Sequence, residues 1–80
     1  MKYEALIPAY KPSAFLSELL KELQSYGFEN VLVDDGSGIE YEHIFFESSR
    51  YGEVLYHAQN VGKGAALKTG LAYIATHFPK

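Results

Sequence analysis

Short apolar runs alternate along the chain with longer segments whose apolar residues have helical spacing. Residues 3–9 form a compact apolar run closed by a proline, which predicts a short buried strand. Over residues 11–27 the period becomes that of a helix, and four leucines share one stripe: Leu16, Leu19, Leu20 and Leu23. Pro12 and Ser13 suit the first turn of this helix, and Gly27 suits its end.

The same alternation is repeated twice more. Residues 30–35 and 52–58 are typical of buried strands, residues 40–51 predict a weaker helix, and a third helix is expected within 59–78. The residues expected to face inward from the second helix are Ile44 and Phe45. The inward face predicted for the third helix holds Leu67, Leu71, Ile74 and Phe78, with Gly70 allowing close approach to the sheet.

This order of elements, βαβαβα, predicts the fold class. Alternating strands and helices favour a short parallel sheet with right-handed crossovers and helices on both faces, a Rossmann-like three-layer α/β sandwich. Strands buried on both faces also explain continuous apolar runs instead of strict alternation. At 80 residues the chain is expected to form one domain, residues 1–80.

Composition and charge exclude several classes of function. The net charge of −3 gives no basic surface for nucleic acid, and the absence of cysteine excludes disulfides and thiolate metal sites. His43 and His77 have no partners at metal-ligand spacing. Polar residues interrupt the N-terminal segment too early for a signal peptide, and no run approaches the ~20 apolar residues of a membrane span. A cytoplasmic location is expected.

Chemically useful residues follow the carboxyl ends of all three predicted strands, which meet at one edge of a parallel sheet. These residues are Pro8, Ala9, Tyr10, Asp34, Asp35, Gly62 and Lys63. A tyrosine ring can stack on a nucleobase, and a carboxylate can accept a hydrogen bond from a base or a ribose. Glycines beside Lys63 at a helix N-terminus suit an anion such as a phosphate. Together these residues predict a nucleotide site.

Simpler interpretations exist for each residue taken alone. The aspartate pair can be a turn and helix cap, Tyr10 a half-buried aromatic residue, and Lys63 an ordinary surface charge. His57 at a strand end is expected to bond nearby backbone. The phosphate-loop and dinucleotide-binding glycine motifs are both absent from the chain.

Three segments in register resemble one family. "IPAYKP", "VDDGSG" and "NVGKGAALKTG" are similar to the N-terminal, nucleotide-binding half of family 2 glycosyltransferases, which have the GT-A fold and use nucleotide sugars. The resemblance implies that Pro8, Ala9 and Tyr10 line the base pocket. It implies that Asp35 contacts the base, that Asp34 supports it or the turn, and that Gly62 and Lys63 close the pocket.

The chain departs from the family pattern at two places. Lys11 stands where the family often has asparagine, and residues 37–40 replace a common Ser-x-Asp. No Asp-x-Asp metal motif follows the third helix, so the chain is expected to be a partial GT-A domain. Catalytic residues and the Mg²⁺ or Mn²⁺ site are then expected elsewhere in a longer parent protein, with no metal bound by this chain.

The resemblance implies an inverting, metal-assisted transfer from a nucleotide diphosphate sugar to a glycan, lipid or protein acceptor. The parent is expected in the cytoplasm or at the cytoplasmic face of a membrane, and the isolated chain is expected to be inactive. Its first strand would have an unpaired edge, which predicts self-association. The alternative hypothesis is a small non-enzymatic α/β binding or regulatory module, although no further acidic strand end or late lysine completes a receiver-like site.

Overall fold

The computed structural model describes residues 3–78 and confirms the predicted α/β architecture. The strands and helices are β1 (Tyr3–Ala9), α1 (Leu16–Ser25), β2 (Phe28–Asp35), α2 (Glu42–Ser48), β3 (Glu53–His57) and α3 (Lys63–His77). Short 3-10 turns at Ile39–Tyr41 and Ser49–Tyr51 flank α2. The three strands are parallel in the order β1-β2-β3, so the most buried strand, β2, lies in the centre.

The side chains of β2 alternate between two helical layers. Leu32 faces α1 and α2, where it packs in the core cluster that also contains Leu16, Leu20, Ile44 and Phe45. Ile44 and Phe45 are therefore buried as predicted. On the opposite face of the sheet, α3 covers β1 and β2. The sheet thus lies between two helical layers, which confirms the predicted three-layer arrangement.

Close packing between α3 and the sheet depends on small residues. Ala66 and Gly70 are its buried residues, and a Cβ atom added at Gly70 would overlap the Leu6 side chain of β1. The predicted role of Gly70 is therefore confirmed. The predicted inward position of Leu71 is wrong, because 59% of this residue is exposed. Ala66 and Gly70 form the face of α3 that packs on the sheet, and Leu71 lies about 100° further round the helix from Gly70.

The first helix begins later than its sequence pattern predicts. Residues 11–15 form a loop, and α1 starts at Leu16, whose N–H donates to the Ser13 carbonyl at 3.2 Å. Lys11 has a φ of 49°, a left-handed conformation that cannot open a right-handed helix. Gly27, with a φ of 94°, follows the C-terminal end of the helix as predicted.

The second strand begins two residues earlier than predicted because Phe28 pairs with Tyr3, and their rings are 6.3 Å apart. The third strand is shorter than predicted, since Gly52 and Ala58 lie outside the ladder. Among the helices described between residues 3 and 78, none has the length and apolar character needed to cross a membrane.

Candidate functional site

A pocket lies at the carboxyl edge of the sheet, where β1 and β2 end and α3 begins. Its volume is about 440 Å³, within the range of small-molecule sites. The residues that line it are Pro8, Ala9, Tyr10, Asp35, Asn60, Gly62 and Lys63. Three segments that are distant along the chain therefore meet around one cavity.

Six of the seven residues predicted for the site line this pocket, and Asp34 does not. Asn60 lines it although it was absent from the predicted set. The residue lies within the "NVGKGAALKTG" segment, so the sequence did contain a signal, but nothing in the pattern distinguished its side chain from that of a loop asparagine. The side chain of Asn60 matters because its amide donates a hydrogen bond to the Asp35 carboxylate.

Asp34 serves the turn after β2. Its Oδ1 accepts a hydrogen bond from the Ser37 N–H at 2.9 Å, and only 7% of the residue is exposed. Because consecutive strand residues face opposite sides of a sheet, Asp34 lies on the side of α1 and α2. Tyr56 is its partner in the strand register, and burial followed by the charges of Asp34 and Glu42 raises the pKa of this tyrosine.

Asp35 faces the other side of the sheet and holds the loop between β3 and α3. Its Oδ1 accepts from the Val61 N–H at 3.0 Å and contacts His57 Nδ1 at 2.9 Å. Its Oδ2 accepts from the Gly62 N–H at 2.9 Å and from Asn60 Nδ2 at 3.0 Å. The hydrogen bond from His57, then that from Val61, lowers the pKa of Asp35, although burial opposes the shift. A carboxylate offers about four acceptor positions, and all are occupied here.

His57 bonds two side chains, not the backbone that the sequence interpretation expected. Its Nδ1 lies 2.9 Å from Asp35 Oδ1, and its Nε2 lies 2.8 Å from Thr69 Oγ1. The parallel pairing of β2 with β3 places His57 beside Asp35. A sequence pattern does not reveal this pairing, so it could not reveal the contact. The imidazole therefore links β2, β3 and α3.

Gly36 allows the loops after β2 and β3 to pack backbone against backbone. Its φ is 71°, and a Cβ atom at this position would overlap the backbone of Gln59 and Asn60. Any larger residue would have to displace the loop that carries Asn60. The glycine of the "DDGS" turn is therefore needed for close approach as well as for its left-handed conformation.

The loop after β1 is fastened to the loop after β2. The Lys11 N–H donates to Ser37 Oγ at 2.8 Å, and Lys11 Nζ lies 5.3 Å from the centroid of the Tyr10 ring. One face of Tyr10 is thus occupied by a cation, and half of the residue remains exposed. These contacts hold the tyrosine at the rim of the pocket.

The residues between 3 and 78 do not fit a divalent metal ion. No group of three histidine, aspartate or glutamate side chains in this range could hold one. Asp34 and Asp35 face opposite sides of the sheet, and the acceptor positions of Asp35 are occupied by the loop. The carboxylate pair therefore cannot act as a joint ligand.

Two other pockets lack this combination of groups. One, of about 590 Å³, lies between α2 and β3 and is lined by Glu42, His43, Phe46 and Tyr56. The other, of about 370 Å³, lies where the strands begin and includes Glu29, Glu53 and Tyr73. The first includes Tyr56 near the carboxyl end of β3 but no residue of β1 or β2, and the second lies where the strands begin. Neither includes a residue at the N-terminus of α3. The pocket containing Tyr10 and Lys63 is therefore the candidate site.

Comparison with known proteins identifies a family that agrees with this geometry. The family model described as glycosyl transferase family 2 matches residues 4–77, which is nearly the whole chain. No curated protein and no solved structure gives a significant match. The three parallel strands and three helices agree with part of a Rossmann-like GT-A fold.

Proposed function

Because this chain belongs to glycosyl transferase family 2, we propose that it supplies the nucleoside-binding part of a donor site in a nucleotide-sugar-dependent glycosyltransferase. The parent protein would transfer a sugar from a nucleotide diphosphate to a glycan, lipid or protein acceptor. The observation that carries this proposal is the shared pocket of Tyr10, Asp35 and Lys63. The family favours glycosyl transfer over the alternative of a small non-enzymatic regulatory module.

Tyr10 is the proposed stacking surface for the base. Half of the residue is exposed, and Lys11 Nζ approaches the ring at 5.3 Å. A cation beside the ring leaves the opposite face for a planar ligand. Offset stacking of aromatic rings contributes about 0.5–1.5 kcal/mol beyond the buried area. Pro8 and Ala9, which precede the tyrosine on β1, form the adjoining wall.

Lys63 and the first turn of α3 are the proposed contacts for the diphosphate. The helix has no acidic residue in its first turn, and no side chain caps its N-terminus at Gly62. The N–H groups of Val61 and Gly62 donate to Asp35, whereas those at the start of a helix have no intrahelical partner. Partial positive charge at this helix end therefore adds to the charge of Lys63.

Asp35 is the proposed acceptor for a base N–H or a ribose hydroxyl, which would take the place of the Asn60 amide on Oδ2. Asp35 lines the pocket although only 3% of the residue is exposed. Asp34 is the proposed supporting residue, because it caps the turn after β2 that directly follows Asp35. Neither aspartate is proposed as a general acid or base.

The proposed reaction is inverting and metal-assisted. Residues outside 3–78 would bind the Mg²⁺ or Mn²⁺ ion and would provide the catalytic base. Such an ion stabilises a leaving diphosphate, while a base deprotonates the acceptor hydroxyl. The isolated chain is therefore expected to hydrolyse no donor and transfer no sugar. Sugar transfer by the 80-residue chain would contradict this part of the proposal.

The proposed site is tested by calorimetric titration of the 80-residue chain with UDP and GDP. Lys63→Ala should weaken binding of the preferred nucleotide about threefold to tenfold, because it removes a charge beside the phosphates. Lys68→Ala is the matched control, since Lys68 lies exposed on the same helix and does not line the pocket. Equal losses in both variants would indicate general charge attraction and contradict a defined site.

We also propose that the chain self-associates through β1. Within residues 3–78 this strand pairs only with β2, so one of its edges is unpaired. Exposed apolar residues lie on β1, on α1 and the residues flanking it, and on α3: Tyr3, Phe15, Leu19, Tyr26 and Leu71. Unpaired edges recruit other strands, and a two-fold contact would bury this surface. Sedimentation as a monomer at high concentration would contradict the proposal.

A further inference from the structure

We propose that Thr69 and His57 are positioning residues for the nucleotide pocket, holding Asp35 from the side of α3 so that the loop 58–62 is formed before a ligand arrives. This inference rests on the proposed function and deepens it. Neither residue lines the pocket, so each acts through Asp35 and not on the ligand.

Two consecutive hydrogen bonds connect α3 to the carboxylate. Thr69 Oγ1 lies 2.8 Å from His57 Nε2, and His57 Nδ1 lies 2.9 Å from Asp35 Oδ1. An ionised carboxylate can only accept, so Nδ1 must carry the proton. In the neutral ring, Nε2 then accepts the hydrogen bond of the Thr69 hydroxyl. Both ring nitrogens are thus satisfied, and the imidazole cannot turn without losing both bonds.

The orientation of the Asp35 carboxylate determines the shape of the loop. Its two oxygens accept from the consecutive N–H groups of Val61 and Gly62. Gly62 directly precedes Lys63, the proposed phosphate contact. Rotation of the carboxylate would release both N–H groups, and the start of α3 would lose its fixed position. Thr69, which lies on α3 seven residues after Gly62, therefore influences the pocket through the His57 side chain and the Asp35 carboxylate.

Asn60 is the partner that a ligand can replace. Among the four groups on the Asp35 carboxylate, Asn60 is the one that belongs to a pocket-lining residue and donates through its side chain. Its Nδ2 also donates to the Asp35 carbonyl at 3.1 Å, a bond that can hold the amide after it leaves the carboxylate. Two others are backbone N–H groups, and His57 is held at both of its nitrogens. An N–H or O–H of the nucleoside therefore reaches Asp35 by displacing the Asn60 amide, while the remaining three contacts keep the loop in place.

The test compares Thr69→Val with Thr69→Ser in the 80-residue chain. Valine has nearly the same shape but no hydroxyl, whereas serine keeps it. Thr76→Val is the control for the same exchange elsewhere on α3, because the Thr76 hydroxyl donates to the Ala72 carbonyl of its own helix and is exposed. Each variant is measured by ¹⁵N NMR, ligand-free for the Val61 and Gly62 amides and the His57 ring nitrogens, and then with UDP and GDP.

Thr69→Val should shift the Val61 and Gly62 amides, accelerate their hydrogen exchange and weaken nucleotide binding about threefold to tenfold. Thr69→Ser should restore all three properties, and Thr76→Val should change none. The proposal is overturned if the two Thr69 variants behave alike, or if wild-type His57 carries its proton on Nε2. Failure of the wild-type chain to bind either nucleotide would reject the proposed function, while the ligand-free spectra would still decide whether Thr69 and His57 hold the loop.

Discussion

Asp34 and Asp35 are neighbours in the chain, yet their carboxylates lie on opposite faces of the sheet. Asp34 accepts from the Ser37 N–H within its own turn, whereas Asp35 holds a loop 25 to 27 residues further along the chain. Two like charges are therefore placed side by side in sequence without sharing a site. This separation gives each aspartate a different sensitivity to substitution.

Asp35→Asn should destabilise the protein far more than Asp34→Asn. An amide at position 35 would replace one oxygen by an NH2 group, which would face either the Val61 N–H and His57 or the Gly62 N–H and the Asn60 amide. Either way, two partly buried donors would lose their acceptor. An amide at position 34 keeps the oxygen that accepts from Ser37. Thermal unfolding measured by circular dichroism should show the larger fall in Tm for Asp35→Asn. Equal Tm values would contradict the described role of Asp35.

The contribution of Asp35 to stability should disappear in acid. The hydrogen bonds of His57 and Val61 lower its pKa in the folded state, so the folded protein holds this proton less tightly than the unfolded chain. The stabilisation is therefore complete above the ordinary aspartate pKa of about 3.9 and is lost as the pH falls below it. Urea titrations between pH 7 and pH 2 should show wild type and Asp35→Asn converging only below about pH 4. Convergence at neutral pH would disprove the expected linkage.

Gly36→Ala and Gly38→Ala separate backbone strain from steric overlap. Both glycines have left-handed φ angles, 71° and 98°, but only a Cβ at Gly36 meets the loop after β3. We expect Gly36→Ala to lower the free energy of unfolding by about 1–3 kcal/mol more than Gly38→Ala. Chemical denaturation measures the difference, and nucleotide binding should be lost only in Gly36→Ala. Similar losses in both variants would show that the loops do not need this close approach.

Lys11→Asn should leave the protein more stable than Lys11→Ala. Lys11 occupies a left-handed conformation that costs most residues roughly 1–2 kcal/mol, and asparagine tolerates it better. Both variants lose the contact between Lys11 Nζ and the Tyr10 ring, so the left-handed conformation alone separates them. Chemical denaturation should give Lys11→Asn an unfolding free energy about 0.5–1 kcal/mol above that of Lys11→Ala. A Lys11→Asn variant less stable than Lys11→Ala would contradict this expectation.

The sequence was sufficient to predict the order of elements, the buried residues Ile44 and Phe45, and the close approach at Gly70. Those features depend on local periodicity and on residue size. Leu71 was misplaced because a helical stripe shows which residues are apolar, whereas the face of α3 that packs on the sheet is the one with the small residues Ala66 and Gly70. The bonds of His57 were missed because they depend on strand register and on a helix twelve residues further along the chain.

The candidate site also combines features that the sequence predicts with features that it does not. The carboxyl ends of parallel strands share one edge, so the meeting of Tyr10, Asp35 and Lys63 followed from topology. The direction of each carboxylate did not, since a one-residue change of register would have exchanged the faces of Asp34 and Asp35. Asn60 escaped prediction because its contact with Asp35 requires the folded loop.

The central claim is that three loops form one pocket for a nucleoside, and NMR titration of the 80-residue chain with UDP and GDP tests it most directly. One nucleotide should shift the amide resonances of Tyr10, Asn60 and Lys63 together, with a single dissociation constant, and should leave the pocket between α2 and β3 unchanged. Shifts centred on His43 and Phe46, or changes at Tyr10 and Lys63 that follow different binding curves, would contradict the account.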